Sequence, residues 1–546
     1  MKTSLSGRAW MVKAWVLVVG LAFSCSLAAQ EPAATTTTEP AATTTTESAE
    51  GGTIEPASTL ETDLRPRRAI VLSMHDAITL TLKNSMDIKI DRIEPQSSAA
   101  DIQQAEAKFD WTFVGSYSRS RSITPSASAL AGATAAKSDG DTIKLGFQKE
   151  LITGGSIQPT VQWSRSETNS AFATLNPSYT TDAYIVISQP LLRDAGIDIA
   201  MSNIYTARNN LRMSRYNFKN NVMSTLSEMQ RTYWDLVFAI DDLEVKKKSL
   251  RLMKDTLEQT QAQVDAGLLA PIEITRVLAE VAEKEKDILT AQKTVRDKED
   301  QLRRFINKKG SNLVADVGVI PLERAAYQPV QLEAPREVRE ALLYRPDYQG
   351  AKINIANHNI ELVIAKNDKL PKVDLSATFS MNGLGGNTTD SFETLKTNHF
   401  HDWSATVSVE IPLGNRSARA GYLKARLGKV QALLELEKLE QDVIINVKEN
   451  ARQVLTDLKR IRATRVAREL AEARREAEEA KFDVGEAAIL DVLDAQTKLA
   501  LAESAERKAI VDYNKSRISL EQAKGTLLER NGVWLSKELG PPSIGR

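Results

Sequence analysis

The stretch WSATVSVEI, residues 403–411, alternates Trp403, Ala405, Val407, Val409 and Ile411 with Ser404, Thr406, Ser408 and Glu410. A period of two places these sets on opposite faces of a strand, one apolar and one small and polar. VDLSATFSM, 373–381, repeats the pattern with Val373, Leu375, Ala377, Phe379 and Met381 on the apolar side. So does an earlier region, through Trp111, Phe113 and Tyr117, through Ile143, Leu145 and Phe147, and through Ile157, Val161 and Trp163. Segments of this length and alternation suit a transmembrane barrel wall with a wet lumen. A half-buried sheet of a soluble protein alternates too. A sixth segment, TDAYIVISQ, is apolar on both faces.

What these strands run into separates the two readings. SQPLLRD and EIPLGNR carry Pro190 and Pro412 where strand gives way to helix. A fixed φ and a missing N–H suit such a change of element. Beyond them the helical pattern runs from about 196 to 265 and from about 415 to 484. A helix of about 70 residues is roughly 105 Å long, far more than a compact domain needs.

Each long helix ends at a glycine turn. QVDAGLLAPIEITRV (263–277) lies under KFDVGEAAILDVLDA (481–495), with Gly267 against Gly485 and Glu273 against Asp491. Both read as helix, left-handed glycine cap, new helix. Helix, strands, long helix and shorter helix therefore occur twice, an internal duplication. The first repeat is assigned to 70–320, with strands over 109–190 and helices over 196–265 and 272–307. The second is assigned to 321–532, with helices over 336–368, 415–484 and 489–530 and strands over 371–411, and 533–546 is a C-terminal tail. Within the second long helix, Leu439, Val443, Val447, Ala451 and Val454 step by 4, 4, 4 and 3. Val466, Leu470, Ala473, Ala477 and Ala480 step by 4, 3, 4 and 3, a heptad that winds left-handed, so the helices are expected to coil more tightly towards the turn.

The chain has 546 residues, 42% hydrophobic and 26% charged, with 71 basic and 71 acidic side chains. That balance gives no overall field favouring nucleic acid. Residues 1–29 join Lys2, Arg8 and Lys13 to the apolar run AWVLVVGLAF and to SCSLAAQ, which reads as an export signal cleaved near Ala28 or Ala29. Cys25 is the sole cysteine, and AFSC loosely resembles a lipidation box, with the bulky Phe23 against it. Residues 30–69, opening with EPAATTTT twice, form a disordered Thr-, Ala-, Pro- and Glu-rich spacer. No later run is long and apolar enough for a membrane helix, so a membrane crossing has to use strands.

The duplicated order, ISQPLL and VEIPLG ahead of the long helices, and VGEAAILDVLDA after the second one resemble the outer-membrane efflux protein (TolC) family over about 70–532. The resemblance implies a mainly α fold with a membrane β-barrel. Very long antiparallel coiled-coil helices would form a periplasmic α-barrel, and a homotrimer would build the β-barrel jointly in outer-membrane lipid. It implies a passive, gated exit duct of a tripartite efflux or type I secretion system, docked on a periplasmic adaptor and an inner-membrane pump or ABC exporter. No cofactor, metal or catalytic group is implied. The rival reading is a non-transporting coiled-coil scaffold bridging envelope layers.

By the same resemblance Asp491 and Asp494 match carboxylates that ring the periplasmic entrance, and Glu273 is their counterpart in the first repeat. Acids in a first helical turn also complement the helix dipole with no other role. The family's tyrosine and arginine latch positions hold Phe482 and Ala487 here, so a different closure is expected. Val484, Gly485, Glu486, Ala266, Gly267 and Leu268 are the candidate adaptor-contact tip. His399, His401 and Asp402 in NHFHDW stand without a third cluster and read as chance.

Strand number departs from the family's two per repeat. The first repeat gives about 80 residues to its strand region, and TIKLGFQKELITGGSIQPTVQWS within it reads as an extra hairpin. Four strands from the first repeat and two from the second are expected, or 18 in a trimer instead of 12. Pro159, in the extra hairpin, leaves open a fold outside the wall.

Overall fold

The computed structural model describes residues 69–125, 135–306 and 318–535. The signal segment, Cys25, the spacer up to residue 68 and the tail from residue 536 lie outside the described residues. Among the described residues no helix is long and apolar enough to cross a membrane.

The chain begins with β1 (Ala69–Leu72), so regular structure starts inside the stretch assigned to the spacer. Three helices follow where one was expected: α1 (Met74–Asn84), α2 (Met86–Asp91) and α3 (Ile93–Glu106). Ser85 caps α1 with φ −52° and ψ 129°, non-helical values that end it. Strands β2 (Thr112–Pro125), β3 (Ala135–Glu150), β4 (Ser156–Thr168) and β5 (Ser178–Pro190) come next, then α4 (Ile197–Ala200), α5 (Ser202–Asp265) and α6 (Ile272–Ile306). After β6 (Gly318–Pro321), which pairs in parallel with β1, the expected 336–368 helix is two, α7 (Ala334–Tyr344) and α8 (Pro346–Asn367). Pro346 enforces the break, since Arg345 before it is extended at φ −66°, ψ 119°. The chain continues through β7 (Lys372–Gly385), α9 (Thr388–Lys396), β8 (His401–Glu410), α10 (Arg416–Asp483), α11 (Ile489–Lys524) and α12 (Leu527–Arg530).

Six strands form one antiparallel sheet in the order β2-β3-β4-β5-β7-β8, four from the first half and two from the second. The expected strand count is therefore met within the chain. The extra hairpin is inside the sheet: β4 pairs with β3 on one side and with β5 on the other. Pro159 stands opposite Ile185 in the β5 ladder, and the β3 ladder is interrupted over Gln158 and Pro159 and then resumes in register, so the missing N–H breaks the pairing locally rather than excluding the strand. Register gathers the apolar residues onto one face. One cross-strand row reads Phe113, Phe147, then Ile185, Phe379 and Trp403, and the row beside it reads Leu145, Val161, Ala183 and Met381. Ser and Thr dominate the opposite face.

Beneath the strands, helices α5, α6, α8, α10 and α11 pack side by side. One core gathers Leu72, Ile78, Phe218, Leu226, Met229, Tyr233, Leu302 and Leu528, and a second gathers Ala341, Val443, Val447, Val454, Ile461 and Tyr513. Leu439, Val443, Val447, Ala451 and Val454 are thus the seam their spacing predicts. The heptad below them is not: Val466, Leu470, Ala473, Ala477 and Ala480 are all exposed. There α10 meets α11 through charge instead, with Arg465 and Arg468 donating to Glu506 at 3.2 and 2.8 Å. The helix has turned its apolar stripe away from its own hairpin partner.

At the far end of α11, Lys524 is buried with its Nζ 2.5 Å from Glu337 and 2.9 Å from Glu340. Gly525 closes the helix at φ 77°, and a Cβ there would lie 2.9 Å from the Arg345 backbone. Positive φ and close approach together demand glycine.

Candidate functional site

The two glycine turns are built alike. Gly267 has φ 73° and donates to the Val264 carbonyl at 2.9 Å, while Leu268 N–H reaches the Gln263 carbonyl at 2.9 Å. Gly485 has φ 79° and donates to Phe482 at 3.0 Å, while Glu486 reaches Lys481 at 2.9 Å. Each is a Schellman cap, satisfying the last carbonyls of α5 or α10. Nothing lies within 4 Å of a Cβ built on either glycine, so dihedral angle and not crowding selects the residue.

Just behind the turns the two hairpins pack on each other. Met253 of α5, Val277 and Val281 of α6, and Ile489, Val492 and Leu493 of α11 form one buried cluster, with Phe482 of α10 against it. Apolar neighbours at three- and four-residue spacing hold the backbones, and the residues between them point outwards. Val484 and Leu268 are 71% and 75% exposed, and Ala266, Gly267, Gly485 and Glu486 are exposed beside them. The six tip residues singled out from the sequence are therefore all accessible.

The three gate candidates differ in their surroundings. Asp494 accepts from Lys498 at 2.8 Å and from Arg474 of α10 at 3.0 Å. The Lys498 hydrogen bond, with the charges of Lys498 and Arg474, holds its carboxyl below the ordinary range against desolvation. Glu273 takes two bonds from Arg276, at 2.8 and 3.0 Å. Asp491 is exposed in the first turn of α11. Over 263–276 and 481–494 the chain has six acids and two bases, so the tip remains acidic after these pairings. Lys498 could be read from its i,i+4 spacing to Asp494. Arg474 could not, because its approach depends on the register between two helices. Phe482, where the resemblance expects a latch tyrosine, packs against the apolar cluster.

Pro190 is the last residue of β5, opposite Asp374, and Pro412 stands between β8 and α10. Gly414 and Asn415 follow with φ 92° and 45°, turning the chain into α10, and Asn415 Nδ2 ties the corner to the Lys369 carbonyl at 2.9 Å. His401 and Asp402 are strand neighbours and face opposite ways. His401 lies against the Phe379 ring and Asp402 accepts from Asn382 at 2.6 Å. Strand alternation thus separates the histidine from the carboxylate, and no group of metal-binding side chains occurs among the described residues.

The sheet leaves both edges open: β2 and β8 each have a neighbour on one side only. Both are exposed along their whole length, including Phe113, Tyr117, Trp403, Val407 and Val409.

Comparison with known proteins bears on this architecture. Residues 338–526 match the family described as outer membrane efflux protein. The chain is 25% identical over 334 residues to the outer membrane protein TolC of Vibrio cholerae serotype O1, covering 60% of this chain and 73% of that protein. Among solved structures it resembles the Campylobacter jejuni CmeC outer membrane channel, with TM-score 0.61 and 16% identity over 86% of this chain and 90% of that one. It also resembles the outer-membrane channel OprN, with TM-score 0.64 and 16% identity over 83% and 90% of the two chains.

Proposed function

We propose that this chain, which belongs to the outer membrane efflux protein family, is the passive exit duct of a tripartite efflux or type I secretion system, gated at its glycine turns and energised by inner-membrane partners. The observation that carries the reading is the sheet: one apolar face, one polar face, two open edges, and strands that lead directly into helices of 64 and 68 residues. An unpaired edge strand is a template for another strand. Six strands per chain is an even number, so β2 and β8 run antiparallel to each other and rotated copies join edge to edge without a parallel seam. Three copies, the family's oligomer, give a barrel of 18 strands, wider than one of 12 because diameter grows with strand number. The two hairpins of each copy then make six around the three-fold axis.

The gate follows from the charges. Asp494 is neutralised within its own protomer and Asp491 is not, so Asp491 supplies most of the field at the entrance, with Glu486 and Asp483 beyond it. A ring of carboxylates attracts cations and retards anions. The exposed small residues of the turns, Ala266, Gly267 and Gly485, leave grooves for helices of a periplasmic adaptor. Purified protein in planar bilayers tests the reading. Discrete cation-selective conductance is expected, and Asp491→Ala with Asp494→Ala should weaken selectivity and abolish block by multivalent cations. A protein that never conducts is a scaffold, and unchanged selectivity in the double variant removes the gate assignment.

A further inference from the structure

Along the apolar face of the sheet, the row of Tyr117, Ile143 and Trp163 is followed one step outwards by a row of a different kind. Register carries it across the strands as Arg119, Asp141, Arg165 and Tyr179, and on to Gly385 of β7. The next step reads Arg121, Asp139 and Glu167. Because side chains alternate, these residues project from the same side as Phe113, Leu145 and Val161, not into the lumen. Aromatic rows on barrels sit at the level of the membrane interface, so ionic rows immediately beyond one lie among lipid headgroups.

The ionic pairing there is uneven. Arg165 is engaged by Glu167 at 2.6 Å, and Asp141 is also held by the Tyr117 hydroxyl at 2.9 Å. Arg119 and Arg121 approach Asp141 and Asp139 only at 3.8 and 3.5 Å, and in the single protomer, before β8 of a rotated copy joins β2, their side chains are 73% and 66% exposed. On the neighbouring strands the same level is covered. α9 lies over β5 and β7, Ser391 bonds Thr181 at 2.8 Å, and a Cβ on Gly383 or Gly385 would meet the Ser391 backbone at 2.1 or 2.5 Å. Headgroup access is left open over β2 to β4, the region widened by the extra hairpin.

We propose that Arg119 and Arg121 form a docking site on the outer, lipid-facing rim for the phosphate groups of an anionic glycolipid of the outer leaflet. The proposal rests on the outer-membrane reading. Two guanidiniums two residues apart on one face present forked donors about 7 Å apart, suited to phosphate oxygens. Asp139 and Asp141 restrain them without saturating them.

The test uses the full-length oligomer in nanodiscs, after conductance in bilayers has established that it inserts. Native mass spectrometry would count retained diphosphorylated lipid A against its phosphate-free form. The wild type should prefer the phosphorylated lipid roughly tenfold, as expected for basic side chains at a membrane surface. Arg119→Ser with Arg121→Ser should erase that preference and leave conductance intact, and Asp139→Asn with Asp141→Asn should strengthen it. Equal retention of the two lipids by a conducting channel, or no effect of the arginine variant, overturns the site and leaves the channel reading standing. Complete displacement of the lipid by millimolar inorganic phosphate would instead mark a free-anion site and overturn the headgroup assignment.

Discussion

Helices α5 and α10 are nearly equal in length, at 64 and 68 residues, and occupy corresponding places in the two halves of the chain, yet 22 residues of α5 are buried and only seven of α10. α5 runs through the middle of the protomer, with α3, α6, α8 and α11 around it. α10 continues from the edge strand β8 and has protein on one side. Its other side carries Leu423, Leu427, Val430 and Leu434 near the sheet, and Val466 and Leu470 lower down, all exposed. Steps of four, three and four residues draw a continuous apolar stripe. The difference teaches that one copy of the duplication finishes its packing within the chain while the other leaves an apolar stripe uncovered, as the proposed oligomer requires.

The largest effect expected from this contrast is on assembly. Leu427→Glu with Leu434→Glu should abolish the proposed trimer in native electrophoresis while far-UV circular dichroism retains the helices. A persistent trimer would show that the stripe faces water. In α5 the same kind of change acts inside the protomer. Leu226 is wholly buried, and Leu226→Ala should cost about 2–5 kcal/mol in urea unfolding, against little for Leu470→Ala measured below the assembly concentration. Equal costs would erase the contrast.

A smaller effect, dependent on pH, separates the interior of the second half from its exposed stripe. Burial alone would lower the Lys524 ammonium, but hydrogen bonds to Glu337 and Glu340 outweigh it and raise the group above its ordinary value. Lys524, followed by Arg336, lowers Glu340, against desolvation. The lysine's contribution is complete below its unfolded pKa and is lost as pH rises through the folded one. The glutamate's is present above its unfolded pKa and is lost as pH falls through the folded one. Both are intact across neutral pH. Lys524→Met should therefore cost about 2–3 kcal/mol near pH 7, less than a fully buried pair because Glu340 is partly solvated. The cost should shrink only below the ordinary glutamate range, as pH falls through the depressed pKa of Glu340. A penalty independent of pH, followed by urea titration, would assign the loss to packing.

How far the sequence could be read depended on the range of the interactions. Five of the strands, the faces they present and the two glycine caps follow from local alternation and local turn chemistry, as in Trp403 to Ile411 or around Gly485, whereas β5, apolar on both faces, takes its facing from its pairing with β4 and β7. The break at Pro346 was equally local and legible in YRPDY. α9 is written as Asn387 capping Asp390, its side chain accepting from that amide at 2.9 Å, but its seat on Gly383 and Gly385 is tertiary. The tip acids were legible as acids. The bond from Arg474 to Asp494 was not, and neither was the outward turn of Val466 and Leu470, because a heptad identifies a seam without naming the partner that fills it.

The hairpin of β3 and β4 also bears on how a pore of this design can change size. Adding one strand would reverse the direction of an edge and spoil its match to the next copy, whereas adding two leaves both edges running as before. In a ring of three copies the smallest permitted insertion is six strands, about 30 Å of wall at ~4.8 Å per strand. Bore in this architecture is a discrete quantity, stepped by whole hairpins, and no substitution of lumen side chains can reproduce such a step.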